Sequence, residues 1–185
     1  MTNNDVLRRI RYTFDFSEHK MVSIFALADT KVEQAQITRW LKKEEDPEYE
    51  NCSDTQLATF LNGLITEKRG KKEGEQPKPE KRTNNNLVFM KLKIALNLQA
   101  DDVLAIMALS GLPISKHELS AFFRRSDHKH YRECKDQILR NFLQGVQIKY
   151  RDSLESKPEK KPEKKPEPEA ATEPKPAGPS LYKSK

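Results

Sequence analysis

Cys52-Ser53-Asp54-Thr55-Gln56-Leu57-Ala58-Thr59-Phe60-Leu61-Asn62-Gly63 and Cys134-Lys135-Asp136-Gln137-Ile138-Leu139-Arg140-Asn141-Phe142-Leu143-Gln144-Gly145 are one stretch written twice, 82 residues apart. In the first writing, Leu57, Phe60, Leu61, Leu64 and Ile65 stand at i, i+3, i+4, i+7 and i+8, the apolar stripe of an amphipathic helix. Ser53 and Gln56 have the spacing of a capping box, with Cys52 placed to staple Leu57. Lys68-Arg69 before Gly70 suits a helix C-terminus, where cations meet the dipole and glycine ends the turn.

Working outward, the same shift matches the chain to itself without a gap. Thirteen positions between residues 3–65 and 85–147 are identical, among them Asn3/Asn85, Asn4/Asn86, Ile24/Ile106, Tyr49/Tyr131 and Gly63/Gly145. Others keep their chemistry: Arg9/Lys91, Arg11/Lys93, Trp40/Phe122, Lys42/Arg124 and Lys43/Arg125. Such self-similarity decides architecture before any local reading does. It predicts an all-α fold of two homologous four-helix repeats, packed about a pseudo-twofold axis. The boundaries read as repeat one over 1–70, a charged flexible linker over 71–83, repeat two over 84–151, and a disordered Lys/Pro/Glu tail over 152–185. The tail holds Lys157-Pro158-Glu159-Lys160 and then Lys161-Pro162-Glu163-Lys164, too poor in apolar side chains to offset the entropy of ordering.

Within each copy, Asn4 and Asn86 read as N-caps of the first helix. Val6, Leu7, Ile10 and Phe14 line its inner face, as do Val88, Phe89, Leu92 and Leu96. The second helix is expected over about 19–28 and 101–110, with Asp101 and Asp102 favouring its second-copy start. The third carries a Ser115/Glu118 capping box, where the first copy has Glu33 at the cap.

Composition narrows the classes. Apolar residues are 35% of 185 and charged residues 34%. No apolar run nears the roughly 18 residues of a membrane span, and Met1 to Asp5 lacks a secretory pattern. Two cysteines make no disulfide framework. The chain reads as cytoplasmic, without membrane contact. The net charge of +6 is uneven: residues 1–65 carry 8 basic and 11 acidic side chains, residues 85–151 carry 11 and 6. A basic second half suits a polyanion, though net charge alone speaks to non-specific association.

His128, His130 and Cys134 are spaced His-x-His-x3-Cys, short of a tetrahedral donor set. Cys52 shares the repeat position of Cys134 but has Asp46 and Glu48 where the histidines would stand, so both cysteines read as packed. With six glycines and no phosphate-loop motif, no cofactor is expected. Asp102 to Arg125 could be a helix-turn-helix, with Lys116 near the start of its second helix and Arg124-Arg125 at its end. The first helix of the second copy has Met90 and Ile94 where the first copy has Arg8 and Tyr12. It is therefore apolar nearly all round, which predicts that Met90 and Ile94 form the contact between the copies or meet an outside partner.

The chain resembles the YehS-like family of uncharacterised bacterial proteins. The resemblance is carried by Asn4-Asp5-Val6-Leu7-Arg8 with Arg11-Tyr12, by Trp40-Leu41-Lys42-Lys43-Glu44, and by Phe60 to Ile65 with Lys68-Arg69-Gly70. In the second half it rests on Asn84-Asn85-Asn86, Lys91-Leu92, Asp102 to Ile106, Asp127-His128-Lys129 and Arg132-Glu133-Cys134, and it covers roughly residues 1–150. It implies a tandem helical domain and supplies no activity, cofactor or catalytic residue. The functional expectation is a non-enzymatic binding or adaptor protein with an unknown protein partner. A nucleic-acid-binding regulator using Lys116, Arg124 and Arg125 is the alternative, and a small enzyme comes third.

Overall fold

The computed structural model describes residues 1–71, 73–74 and 76–152. Of the tail expected over 152–185, residues 153–185 lie outside them, and residue 152 ends the last helical turn instead. Among the described residues eight α-helices follow in order: α1 (Asn3–Phe14), α2 (Glu18–Ala26), α3 (Gln34–Leu41), α4 (Asp54–Arg69), α5 (Asn85–Ala95), α6 (Ala100–Leu109), α7 (Lys116–Phe122) and α8 (Asp136–Gln147). A π-helical turn, Ile148–Asp152, extends α8. There is no strand among the described residues. No helix among them is long and apolar enough to cross a membrane.

The capping boxes at Ser53/Gln56 and Ser115/Glu118 form as the spacing predicts, and Glu33 caps α3 without a side-chain bond. The first-helix caps differ from expectation. Thr2 and Asn84 are the N-caps, and Asn4 and Asn86 lie inside the helix with their side chains buried. Asn4 Nδ2 donates to the carbonyls of Trp40 and Glu50, at 2.8 and 2.9 Å, and Asn4 Oδ1 accepts from the Cys52 N–H at 3.0 Å. Asn86 does the same to Phe122, Arg132 and Cys134. A primary amide has two donors and an acceptor, which meets the needs of three backbone groups that no helix serves. The buried amide ties the long loop before α4 or α8 to the first helix of its own copy.

Each copy has its own aromatic core. Phe25 packs on Trp40 and Phe60, and Phe89 on Phe122, Phe123 and Phe142. The recurrent glycine marks a close crossing of α2 on α4 and of α6 on α8. A Cβ at Gly63 would stand 1.9 Å from the carbonyl oxygen of Ile24, and one at Gly145 2.1 Å from that of Ile106.

The copies interleave: α1 packs against α8, and α5 against α4. At one end, Asp54 accepts from Asn3 of its own copy and from the N–H of Thr83, the linker residue that leads into the other. Asp136 accepts from Asn85 of its own copy and from the Met1 amine of the other. At the far end, Arg69 donates to Asn97, and Arg151 lies 3.8 Å from Asp15. Each pair maps onto the other by the 82-residue shift, so the halves meet about a pseudo-twofold axis. These contacts also set direction. α1, α4, α5 and α8 run parallel, with all N-termini at one end. Aligned macrodipoles repel, and the chain answers with Asp5, Asp54 and Asp136 in first turns and Lys68, Arg69 and Arg151 at the other end.

On α5, Lys91 is 6% exposed, in the α4–α5 seam. Its ammonium donates to Asn62 Oδ1 and pairs with Glu80 at 2.9 Å. Val88 and Ala95, three before and four after it, are buried on the same helix face. Met90 and Ile94 are not the contact between the copies, because they are 37% and 44% exposed on the outer side. The seam needs a face complementary to α4, and a long lysine stem with a paired head supplies it.

Candidate functional site

The first helix is where the two copies part company. In the first copy, Arg8 reaches across to the loop after α3. Its guanidinium donates to the Lys42 carbonyl and to Asp5 Oδ1, both at 2.6 Å. Burial raises the Asp5 carboxyl, but the Thr2 backbone N–H and Arg8 outweigh it and hold the pKa below the usual range. In the second copy Leu87 replaces Asp5 and Met90 replaces Arg8. The bridge is gone. A cavity of about 250 Å³ lies between α5 and the segment after α7, lined by Leu87, Met90, Phe123 and Tyr131 and rimmed by Arg82 and Arg124.

Met90 and Arg124 are thus brought together, along with residues that pattern reading passed over: Arg82, Leu87, Phe123 and Tyr131. The signal was the pairing of Arg8 with Met90 read jointly with Asp5 and Leu87. Ile94 continues the exposed face one turn on, and the Lys93 ammonium lies 5.7 Å from the Phe123 ring. Arg124 points toward the His130 carbonyl at 3.4 Å and the Ser120 hydroxyl at 3.5 Å. Arg125 is exposed and pairs with Asp127 at 3.1 Å. Lys116 sits at the opposite end of α7, paired with Asp101 at 2.7 Å, and does not line the groove.

The loop beside the groove reverses its charge between copies. Residues 41–50 carry two basic and five acidic side chains, while residues 123–132 carry four basic and one acidic. In the first copy Lys42 is held by Asp46 and Glu48, which neutralises it internally. The second copy has histidines at both of those acidic positions, and their rings lie 5.7 Å apart.

Neither cysteine is arranged for chemistry. Burial first, then neighbouring carboxylates, pushes both the Cys52 and the Cys134 thiol up to about 12. A thiol that stays protonated at neutral pH is a poor nucleophile and ligand. Among the described residues, no group of three or more His, Cys, Asp or Glu could hold a metal ion.

A family model described as a protein of unknown function, DUF1456, matches residues 3–70 and again residues 85–152. The chain belongs to the DUF1456 family. The two matched segments are the two structural repeats of this DUF1456 protein. It is also 45% identical over 147 residues to the uncharacterized protein YehS of Escherichia coli (strain K12), across 79% of this chain and 94% of that one. The YehS-like resemblance carried by the first-helix, Trp40 and Phe60 motifs is therefore a family relationship. No solved structure matches.

Proposed function

We propose that this DUF1456 protein is a non-catalytic binding protein and that its second repeat is the binding copy. The observation that carries the reading is the groove at Met90, open where the first copy is closed by Arg8. An apolar floor of Leu87, Met90 and Phe123 between Arg82 and Arg124 suits a protein segment that presents an apolar side chain beside an acidic one. The raised pKa values of Cys52 and Cys134 speak against thiol chemistry at those two positions.

Nucleic acid is the second reading, favoured by the basic loop of residues 123–132. Phosphate contacts would make such binding fall steeply with salt through counterion release.

The test is affinity purification of the full chain from its native cell, with and without nuclease, alongside a Met90→Arg variant that copies the first repeat. A partner that survives nuclease and is lost in Met90→Arg supports the groove. Retention of that partner by Met90→Arg overturns it. A nuclease-sensitive partner moves the assignment to nucleic acid. That outcome is then checked by titrating labelled RNA and duplex DNA against Arg124→Glu/Arg125→Glu at several salt concentrations.

A further inference from the structure

The linker between the repeats does more than join them. After α4 it doubles back along the α4–α5 seam. Asn62 Nδ2 donates to the Pro77 carbonyl at 3.1 Å, Glu80 pairs with Lys91 at 2.9 Å, and the Thr83 N–H donates to Asp54 at 3.1 Å. The docked tetrapeptide is Lys78-Pro79-Glu80-Lys81. Beneath it Ala58, Asn62 and Lys91 are all buried.

The pseudo-twofold axis makes a second seam, between α1 and α8. There Arg9 takes the place of Lys91, Gln144 that of Asn62 and Arg140 that of Ala58. This seam is open. Gln144 and Arg140 are exposed, and Arg9 is half-buried. Arg8, Arg9 and Arg140 line a cavity of about 290 Å³ with Met1 and Asp5. Arg8 is committed to Asp5 and Lys42, whereas Arg9 and Arg140 have no ion pair among the described residues. Asp5, the one carboxylate lining the cavity, is taken up by Arg8, and Asp136 one turn before Arg140 is bonded to Met1 and Asn85, so no carboxylate is seated on Arg9 and Arg140 as Glu80 is on Lys91.

The sequence supplies one. Lys-Pro-Glu-Lys, the tetrapeptide docked in the first seam, recurs twice, at Lys157-Pro158-Glu159-Lys160 and at Lys161-Pro162-Glu163-Lys164, and the second recurrence matches the spacing of the docked one. Glu80 lies 11 residues beyond Arg69, and Glu163 lies 12 beyond the equivalent Arg151. The return from Arg151 to the level of Arg140 is about 17 Å at the rise of a helix, and that many extended residues reach roughly 40 Å. Tethering also holds the segment at an effective concentration near the millimolar range, enough for a contact of a few side chains.

We propose that the α1–α8 seam is a docking site for the chain's own C-terminal segment, with Glu163 seated on Arg9 and Arg140 as Glu80 is seated on Lys91. The site takes an extended acidic peptide with proline before the glutamate. An outside peptide of the same chemistry competes with the chain's own segment for it.

The test uses the full chain with Lys164→Cys carrying a nitroxide. The native cysteines are buried and spare from labelling. The backbone amide signals of Arg9, Arg140 and Gln144 should lose intensity, and Glu163→Lys in the same chain should restore them. That second change lies outside the helical repeats, so loss of the fold does not confound it. Unbroadened seam signals, or broadening that Glu163→Lys leaves in place, overturn the proposal. Mixing labelled chains with isotopically enriched unlabelled ones checks the occupant. Broadening in the unlabelled chains overturns docking within one chain and assigns the seam to a second copy.

Discussion

The two repeats agree at their buried amides, their close-packed glycines and their bridging aspartates, and differ in what covers the seams and on the outer face of the first helix. Asn4 and Asn86 make the same three bonds, Gly63 and Gly145 sit under the same carbonyl, and Asp54 and Asp136 each bridge both halves. Outside these, an ion pair becomes an apolar pair at Leu87 and Met90, and an acidic loop becomes a basic one. The lesson is that duplication kept the interior and the bridges at the helix ends, and that the outer faces and the covering of the seams carry separate business.

The largest effect tests the shared interior. Phe60→Ala and Phe142→Ala should each cost about 3–5 kcal/mol, since both rings are fully buried. Because α1 rests on α8 and α5 on α4, either change should lower one common unfolding transition. Calorimetry that resolves two transitions, with the untouched repeat at its original midpoint, would break the picture of interleaved halves.

Next come the buried amides. Asn4→Ala and Asn86→Ala each strand two carbonyls and one N–H away from water, and a cost of about 1–3 kcal/mol is expected. Urea denaturation reads it. A clear inequality between the two would sharpen the comparison, by showing that one loop finds water where the other does not.

The smallest effect is on pH dependence. Asp54 is held below the ordinary carboxylate range chiefly by the Asn3 side chain and then by the Thr83 N–H, Asp136 chiefly by the Met1 amine and then by Asn85. A lowered folded-state pKa contributes stability that is present above the unfolded value, about 3.9, and lost as pH falls through the folded one. Between pH 5 and pH 2, on the scale of those values, Asp54→Asn and Asp136→Asn should each flatten the decline in denaturation midpoint. Slopes equal to that of the unaltered chain would show that these carboxylates do not couple folding to protons.

Much of this could be read from the chain. The 82-residue register placed the helices and the matching glycines, because gapless repetition constrains every element at once. The role of Asn4 and Asn86 could not be read, because their partners lie 36 to 48 residues away and asparagine near a helix start looks like a cap. The seam was misread for a related reason. Pattern reading sends lysine outward and methionine inward, yet Lys91 is buried with its charge met by Glu80, and Met90 is left on the surface. The groove was half legible, since the loss of Arg8 was visible but its contact with the Lys42 carbonyl was not.

The reciprocal seams have one more consequence. Each repeat offers the other its first and fourth helices and receives the same pair in return, which is the geometry of an isologous homodimer joined into a single chain. A true dimer of identical subunits must carry every surface change twice, once on each side of its axis. Covalent fusion lifts that constraint, so a side chain such as Met90 can alter one face of the molecule and leave its counterpart untouched. The linker that performs the fusion occupies one seam, and the particle has two distinguishable sides as a result.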